Sequence, residues 1–176
     1  MKNWIITLGL VITLHTIAYG QQQKEEIDVA DSLNFMLGTW KGEGWVKKGP
    51  VAQTFQLSEI ISSKVNGAVL SIDGAGVAID TSTNETKKVH DAFGVIYYDE
   101  KTQGFRIMAF SSAAAQKDVA FIREGKTITW GFKVDNGGEV RFTENFSEEG
   151  RWTTVGEYSG GGNTWFTFLK YDLERQ

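Results

Sequence analysis

From Thr127 to Phe146 the side chains alternate in character. Ile128, Trp130, Phe132 and Val134 share one parity, with Thr127, Thr129 and Lys133 between them. Val140, Phe142 and Phe146 repeat the pattern in the next stretch, against Glu139, Arg141, Thr143 and Asn145. A two-residue period with one dry face and one wet face is the pattern of an antiparallel meander. Similar stretches fill most of the chain after Gly38. Strands are expected over Thr39 to Val46, Ala52 to Ser62, Ala68 to Asp73, Val77 to Thr81, Lys88 to Tyr98, Gly104 to Ser111, Lys117 to Arg123, Thr127 to Val134, Glu139 to Phe146, Trp152 to Tyr158 and Thr164 to Tyr171. Val65-Asn66-Gly67, Glu124-Gly125-Lys126 and Asp135 to Gly138 supply the positive-φ positions of tight hairpins. No helical pattern of about 10 to 15 residues intervenes, so βαβ units are not expected. The expected fold is all-β, an antiparallel up-and-down barrel of about ten strands behind a short N-terminal helix. Closure removes exposed sheet edges, and Gly42, Gly44, Gly94, Gly131 and Gly156 permit the bends that closure needs. A two-sheet sandwich is the competing arrangement.

The first twenty residues differ from the rest. Lys2 is followed by the apolar run Trp4 to Ala18, and Ala18-Tyr19-Gly20 places small residues before Gln21. That layout reads as a cleavable secretory signal, residues 1–20, because the run is shorter than the ~20 residues of a spanning helix. The mature chain is then exported, periplasmic or extracellular, with no membrane span after cleavage. A loose segment over 21–32 and one domain over 33–176 follow. Asp31 or Ser32 is expected to cap a helical turn or two that puts Leu33, Met36 and Leu37 on one face. The 176 residues contain no cysteine, so packing alone must hold the domain together. A net charge of -4 argues against a nucleic-acid partner, which selects basic surfaces.

Phe35-Met36-Leu37-Gly38-Thr39-Trp40-Lys41-Gly42-Glu43-Gly44 resembles the opening of bacterial lipocalin-like (calycin-type) proteins of unknown function, and more distantly of nitrobindin-like haem barrels. Ala92-Phe93-Gly94-Val95-Ile96-Tyr97-Tyr98-Asp99 and Gly160-Gly161-Gly162-Asn163-Thr164-Trp165 resemble the first group too. The resemblance runs from about Leu33 to the end and implies a barrel with an internal cavity open at one end. It implies no established enzyme activity. It also implies that Trp40 packs across the closed end in a structural role, under a cation from a late strand, either Lys170 or Arg175. The haem of the nitrobindin-like barrels is held by a histidine near the C-terminal end, and Trp152 to Gln176 contains none. Haem is therefore not expected, and His90, in mid-chain, reads as a surface or hydrogen-bonded residue.

The lumen candidates are Phe93, Tyr97, Arg106, Met108, Phe110, Trp130, Phe132, Phe142, Glu144 and Phe168. Glu144 stands out, because it shares the dry parity of Phe142 and Phe146. A buried carboxylate needs a partner or a ligand donor, and Arg106, in parity with Met108 and Phe110, is the candidate partner. No nucleophile elbow, phosphate loop or metal-spaced histidine set is present. The function expected is binding of a small hydrophobic or amphipathic molecule in the lumen. A structural or interaction module with a filled core is the alternative. A second alternative is an enzyme using Glu144 or His90 as general base. A dry lumen of several hundred Å3 favours binding, and a filled one favours the interaction module.

Overall fold

In the computed structural model the alternation becomes one sheet curled on itself. Residues 27–47, 49–79, 85–112, 114–135 and 137–176 are described; the expected signal segment lies outside them. They form ten strands: β1 Gly38–Lys47, β2 Ala52–Lys64, β3 Val69–Ile79, β4 Thr86–Asp99, β5 Gly104–Ser111, β6 Ala114–Glu124, β7 Thr127–Lys133, β8 Glu139–Asn145, β9 Arg151–Ser159 and β10 Phe166–Arg175. Each pairs antiparallel with its chain neighbour, and β1 closes on β10 through Trp40↔Arg175, Gly42↔Leu173 and Val46↔Leu169. The sandwich is thereby excluded in favour of the barrel. Gly42 makes the seam possible, since a Cβ there would stand 2.0 Å from the Asp172 carbonyl oxygen. Ala68 to Asp73 and Val77 to Thr81, expected as two strands, are joined in β3. Its glycines do not end it, because Gly74 and Gly76 stay in register with Glu59 and Leu57 of β2. The mismatch with β4 is taken up instead by a bulge at Gly76/Val77.

The lower end is closed by the segment before β1. A helical turn, α1 Val29–Ser32, and a 3-10 turn, Asn34–Met36, carry Val29, Leu33 and Met36 into the core. The cap is Asp28, not Asp31 or Ser32. The Asp28 carboxylate accepts from the Asp31 amide at 2.8 Å, so the helix starts earlier than the sequence suggested. Arg123 ties this plug to the wall by donating to the Ser32 carbonyl (2.8 Å) and lying over Phe35.

Trp40 organises the closed end. Its indole N–H donates to the Met36 carbonyl at 2.8 Å, and its ring meets Phe146 and Trp152 edge-on at 5.5 and 5.9 Å. Arg175 is the cation on its face, 4.4 Å from the ring centroid. The same guanidinium donates to the Leu37 and Phe35 carbonyls at 2.7 Å each, joining the last strand to the plug. Lys170 points outward from β10 and is exposed.

Candidate functional site

Cross-strand register sorts the side chains between the two faces. Inward positions are the even residues of β1, β7, β8 and β9 and the odd residues of β2, β5 and β6. On β4 they are Gly94, Ile96 and Tyr98, opposite Ala109, Ile107 and Phe105. Trp130, Phe132, Phe142 and Glu144 face the interior as expected.

Five lumen candidates do not. Phe93, Tyr97, Arg106, Met108 and Phe110 are on the outer face, where Phe93↔Phe110, Val95↔Met108 and Tyr97↔Arg106 are cross-strand pairs. Both parities of β4 and β5 are apolar, so hydrophobicity does not choose between them. The turn does: pairing of Asp99 with Gly104 puts Phe105, Ile107 and Ala109 inside. Phe93 and Phe110 are 42% and 39% exposed, with ring centroids 6.5 Å apart. Arg106 is accordingly not the partner of Glu144. It donates to Asp118 at 2.9 Å and to the Tyr97 hydroxyl at 3.2 Å, both on the outer wall.

The inner wall changes character with height. Below, its side chains are packed tight, and a cavity of about 10 Å3 remains between Met36, Ile72, Ile107, Phe121, Ile128 and Glu144. That is no more than one water's space. Above, the inward residues Ala109, Val119, Trp130, Phe132, Val140, Phe142 and Leu169 are only half-buried. The tightly filled part is thus the lower barrel, and the wall is accessible towards the other end.

Aromatic rings run along that accessible wall. Trp130 stacks on Phe142 with centroids 4.4 Å apart, and Phe132 lies 6.4 and 6.5 Å from the two. Phe168, on a bulge between Thr167 and Leu169, meets Phe142 edge-on at 5.9 Å. Beside them the wall parts. The β6–β7 ladder runs only from Glu124↔Thr127 to Phe121↔Trp130, whereas β7 stays paired with β8 as far as Lys133↔Glu139. A solvent-open recess of about 420 Å3 lies on the outer side of that parting, lined by the outward-facing Ala120, Ile122, Thr129, Lys133 and Arg141 and by Trp165, and reached from the inner wall by Trp130, Phe132 and Val140. Arg141 borders it, 4.3 Å from the Trp165 ring and paired with Glu157 at 2.7 Å.

Beneath the aromatics lies a polar centre. Glu144, 8% exposed, accepts from the Trp130 indole N–H at 2.7 Å. Burial pushes its carboxyl up to about 7; the nearby Glu59 carboxylate adds to this, and the Trp130 hydrogen bond opposes it. Glu59, 5% exposed, lies 3.4 Å from His90 Nε2. Gly74 makes room for that pair, since a Cβ there would stand 2.6 Å from Glu59 Oε2 and 2.9 Å from His90 Nε2. Tyr171 is also held neutral, by burial first and then by the charges of Glu144 and Glu59. Among the described residues the buried Thr154 hydroxyl and Trp152 indole N–H have no hydrogen-bond partner at ordinary geometry. His90 is thus a group of inward parity beside a carboxylate, with its side chain still 38% exposed.

Glu59, Thr154, Tyr171 and Lys117 were not singled out from the sequence. The signal for Glu59 was present: it shares the parity of Phe55, Leu57 and Ile61, as Glu144 shares that of Phe142 and Phe146. Among the described residues no group of three or more histidines and acids is placed to hold a metal ion. Nor is any helix there long and apolar enough to cross a membrane.

No family model and no curated protein matches the chain. Among solved structures, Rv2717c from M. tuberculosis matches with a TM-score of 0.62 at 13% identity, covering 85% of this chain and 98% of that one. The S-type phycobiliprotein lyase CPES from Guillardia theta matches with a TM-score of 0.56, also at 13% identity, covering 85% and 93%. At that identity the likeness is one of fold. The fold is a closed ten-stranded antiparallel barrel of lipocalin-like form.

Proposed function

We propose that the protein binds a small, largely apolar molecule at the open part of its barrel, against Trp130, Phe132, Phe142 and Phe168. One observation carries this reading: four contiguous aromatics of the inner wall are left half-buried above a filled lower barrel, beside a parting of β6 from β7. Apolar surface kept accessible on a concave wall is what a ligand site requires. The filled lower barrel confines the ligand to the upper part of the lumen, and Glu144 forms the polar floor below it. Likeness of fold to a protein named as a phycobiliprotein lyase is consistent with a ligand-handling barrel. Export by a cleaved signal over 1–20 belongs to the same reading.

A second reading, an interaction module acting through its outer wall, draws on the filled lower barrel and on exposed Phe93 and Phe110. One titration separates the two. Nile red, a neutral apolar dye, should bind saturably, and Phe132→Ser or Phe142→Ser should weaken it at least tenfold, the scale of a lost aromatic contact. Phe93→Ser and Phe110→Ser should leave it unchanged. Absence of saturable binding, or equal loss from the outer variants, would reject the lumen site.

A further inference from the structure

Lys117 is out of place on an apolar wall. On β6 the register Ile107↔Val119 and Ala109↔Lys117 gives Lys117 the inward parity of Val119 and Phe121. Among the described residues it is the one half-buried lysine or arginine on the inner wall above the plug. Its neighbours at that height, Ala109, Val119, Phe132 and Val140, carry no charge. Every other half-buried cation of the wall has an acid: Arg106 has Asp118, Arg141 has Glu157, and Arg151 has Glu148 and Asp172. Among the described residues Lys117 has no carboxylate, and its ammonium lies 4.9 Å over the Phe132 ring. A cation held on an aromatic face and partly desolvated, without a counter-ion, is a site prepared for an anion.

We propose that the ligand is an amphipathic anion, an apolar body with one acidic head, and that Lys117 Nζ anchors the head. The proposal rests on the lumen-binding reading and specifies its ligand class. The geometry sets the direction of binding. Phe132 is shared by Lys117 above and by Trp130 and Phe142 below, so a head on Lys117 places the attached chain on the aromatic set. The floor offers an anionic head two acids and, beside them, only His90, already 3.4 Å from Glu59, and the lower barrel has no room for it. The parting of β6 from β7 begins above Phe121, on the strand that carries Lys117, which gives the head a route in beside its anchor.

The test compares two probes on the full barrel, a dansyl-labelled undecanoic acid and its methyl ester, which share a body and differ in the head charge. The acid should bind at least tenfold more tightly than the ester, as expected for one charge-assisted contact in a partly dry site. Lys117→Met should remove that preference, leaving ester affinity within twofold. Lys117→Arg should restore most of it, and rising salt should erode it only partly. Circular dichroism melts of both variants check folding, and a Lys117→Met protein that fails to fold is replaced by Lys117→Gln. Equal affinity for acid and ester in the native protein overturns the anion proposal while the lumen site stands. So does a preference that survives in Lys117→Met. Failure of both probes, together with Nile red, overturns the lumen site and the anchor with it.

Discussion

Glu144→Gln should make the barrel more stable at alkaline pH and leave it unchanged at acid pH. In the folded protein the Glu144 carboxyl titrates near 7, against an ordinary value of 4.5 for an unfolded chain, because burial penalises the charged form and Glu59 adds repulsion. Between those two pH values the folded protein holds a proton that the unfolded chain has released. Stability therefore falls as pH rises through this window and levels off above it. At about 1.4 kcal/mol per pH unit, the interval from 4.5 to about 7 corresponds to a loss of about 3 kcal/mol. Glutamine keeps the size of the protonated carboxyl, and its carbonyl oxygen still accepts from the Trp130 indole at the position Glu144 Oε1 now holds. It has no proton to lose.

Urea unfolding at pH 5, 6, 7 and 8, followed by tryptophan fluorescence, measures the difference between the two proteins at each pH. Other groups titrate in both proteins and cancel in that difference. The variant should exceed the native protein by less than about 1 kcal/mol at pH 5 and by about 3 kcal/mol at pH 8, with most of the gain appearing between pH 5 and 7. A constant difference across the series would mean that Glu144 titrates as an ordinary carboxyl. A variant less stable than the native protein at pH 8 would mean that the buried carboxylate is satisfied by something stronger than the Trp130 hydrogen bond. Either result refutes the reasoning.

Trp40→Ala should destabilise the barrel by roughly 3–5 kcal/mol in the same assay, the usual effect of deleting a buried large aromatic; a loss near 1 kcal/mol would contradict its place at the closed end. Arg106→Met and Glu144→Gln should combine additively within about 0.5 kcal/mol, because the two groups lie on opposite faces of the wall, and a larger coupling would mean that they interact. Gly74→Ala should lower stability by roughly 1–3 kcal/mol, since the new methyl group would force Glu59 and His90 to move; an unchanged midpoint would show that the pair yields freely. Mass spectrometry of the exported product should find Gln21 at the amino terminus, and an intact Met1 there would identify the leading segment as an anchor.

Much of the barrel was legible because its strands tell the two faces apart. On β7 and β8 the apolar residues fall on one parity, and Glu144 was placed inside from its neighbours Phe142 and Phe146 alone. On β4 and β5 that information is lacking. Phe93, Val95 and Tyr97 are as apolar as Gly94, Ile96 and Tyr98, so the correct face was encoded in the Asp99–Gly104 turn, whose pairing sets the register. The error on Arg106 followed from that ambiguity. Its even parity looked inward beside Met108 and Phe110, while Asp118, its actual partner, lay on a strand whose register had yet to be fixed. The polar centre was hidden for another reason. Glu59 and His90 come from strands far apart in the sequence and meet only because β3 places Gly74 between them, so no local window contains the pair. Lys117 was hidden in turn by the parting of β6 from β7. A strand that leaves its partner gives no sign of it in composition, yet that departure turns an inward lysine from a packing defect into an accessible charge above an aromatic wall. The aromatic part of the candidate site was thus written in local alternation, and its charges were written in register.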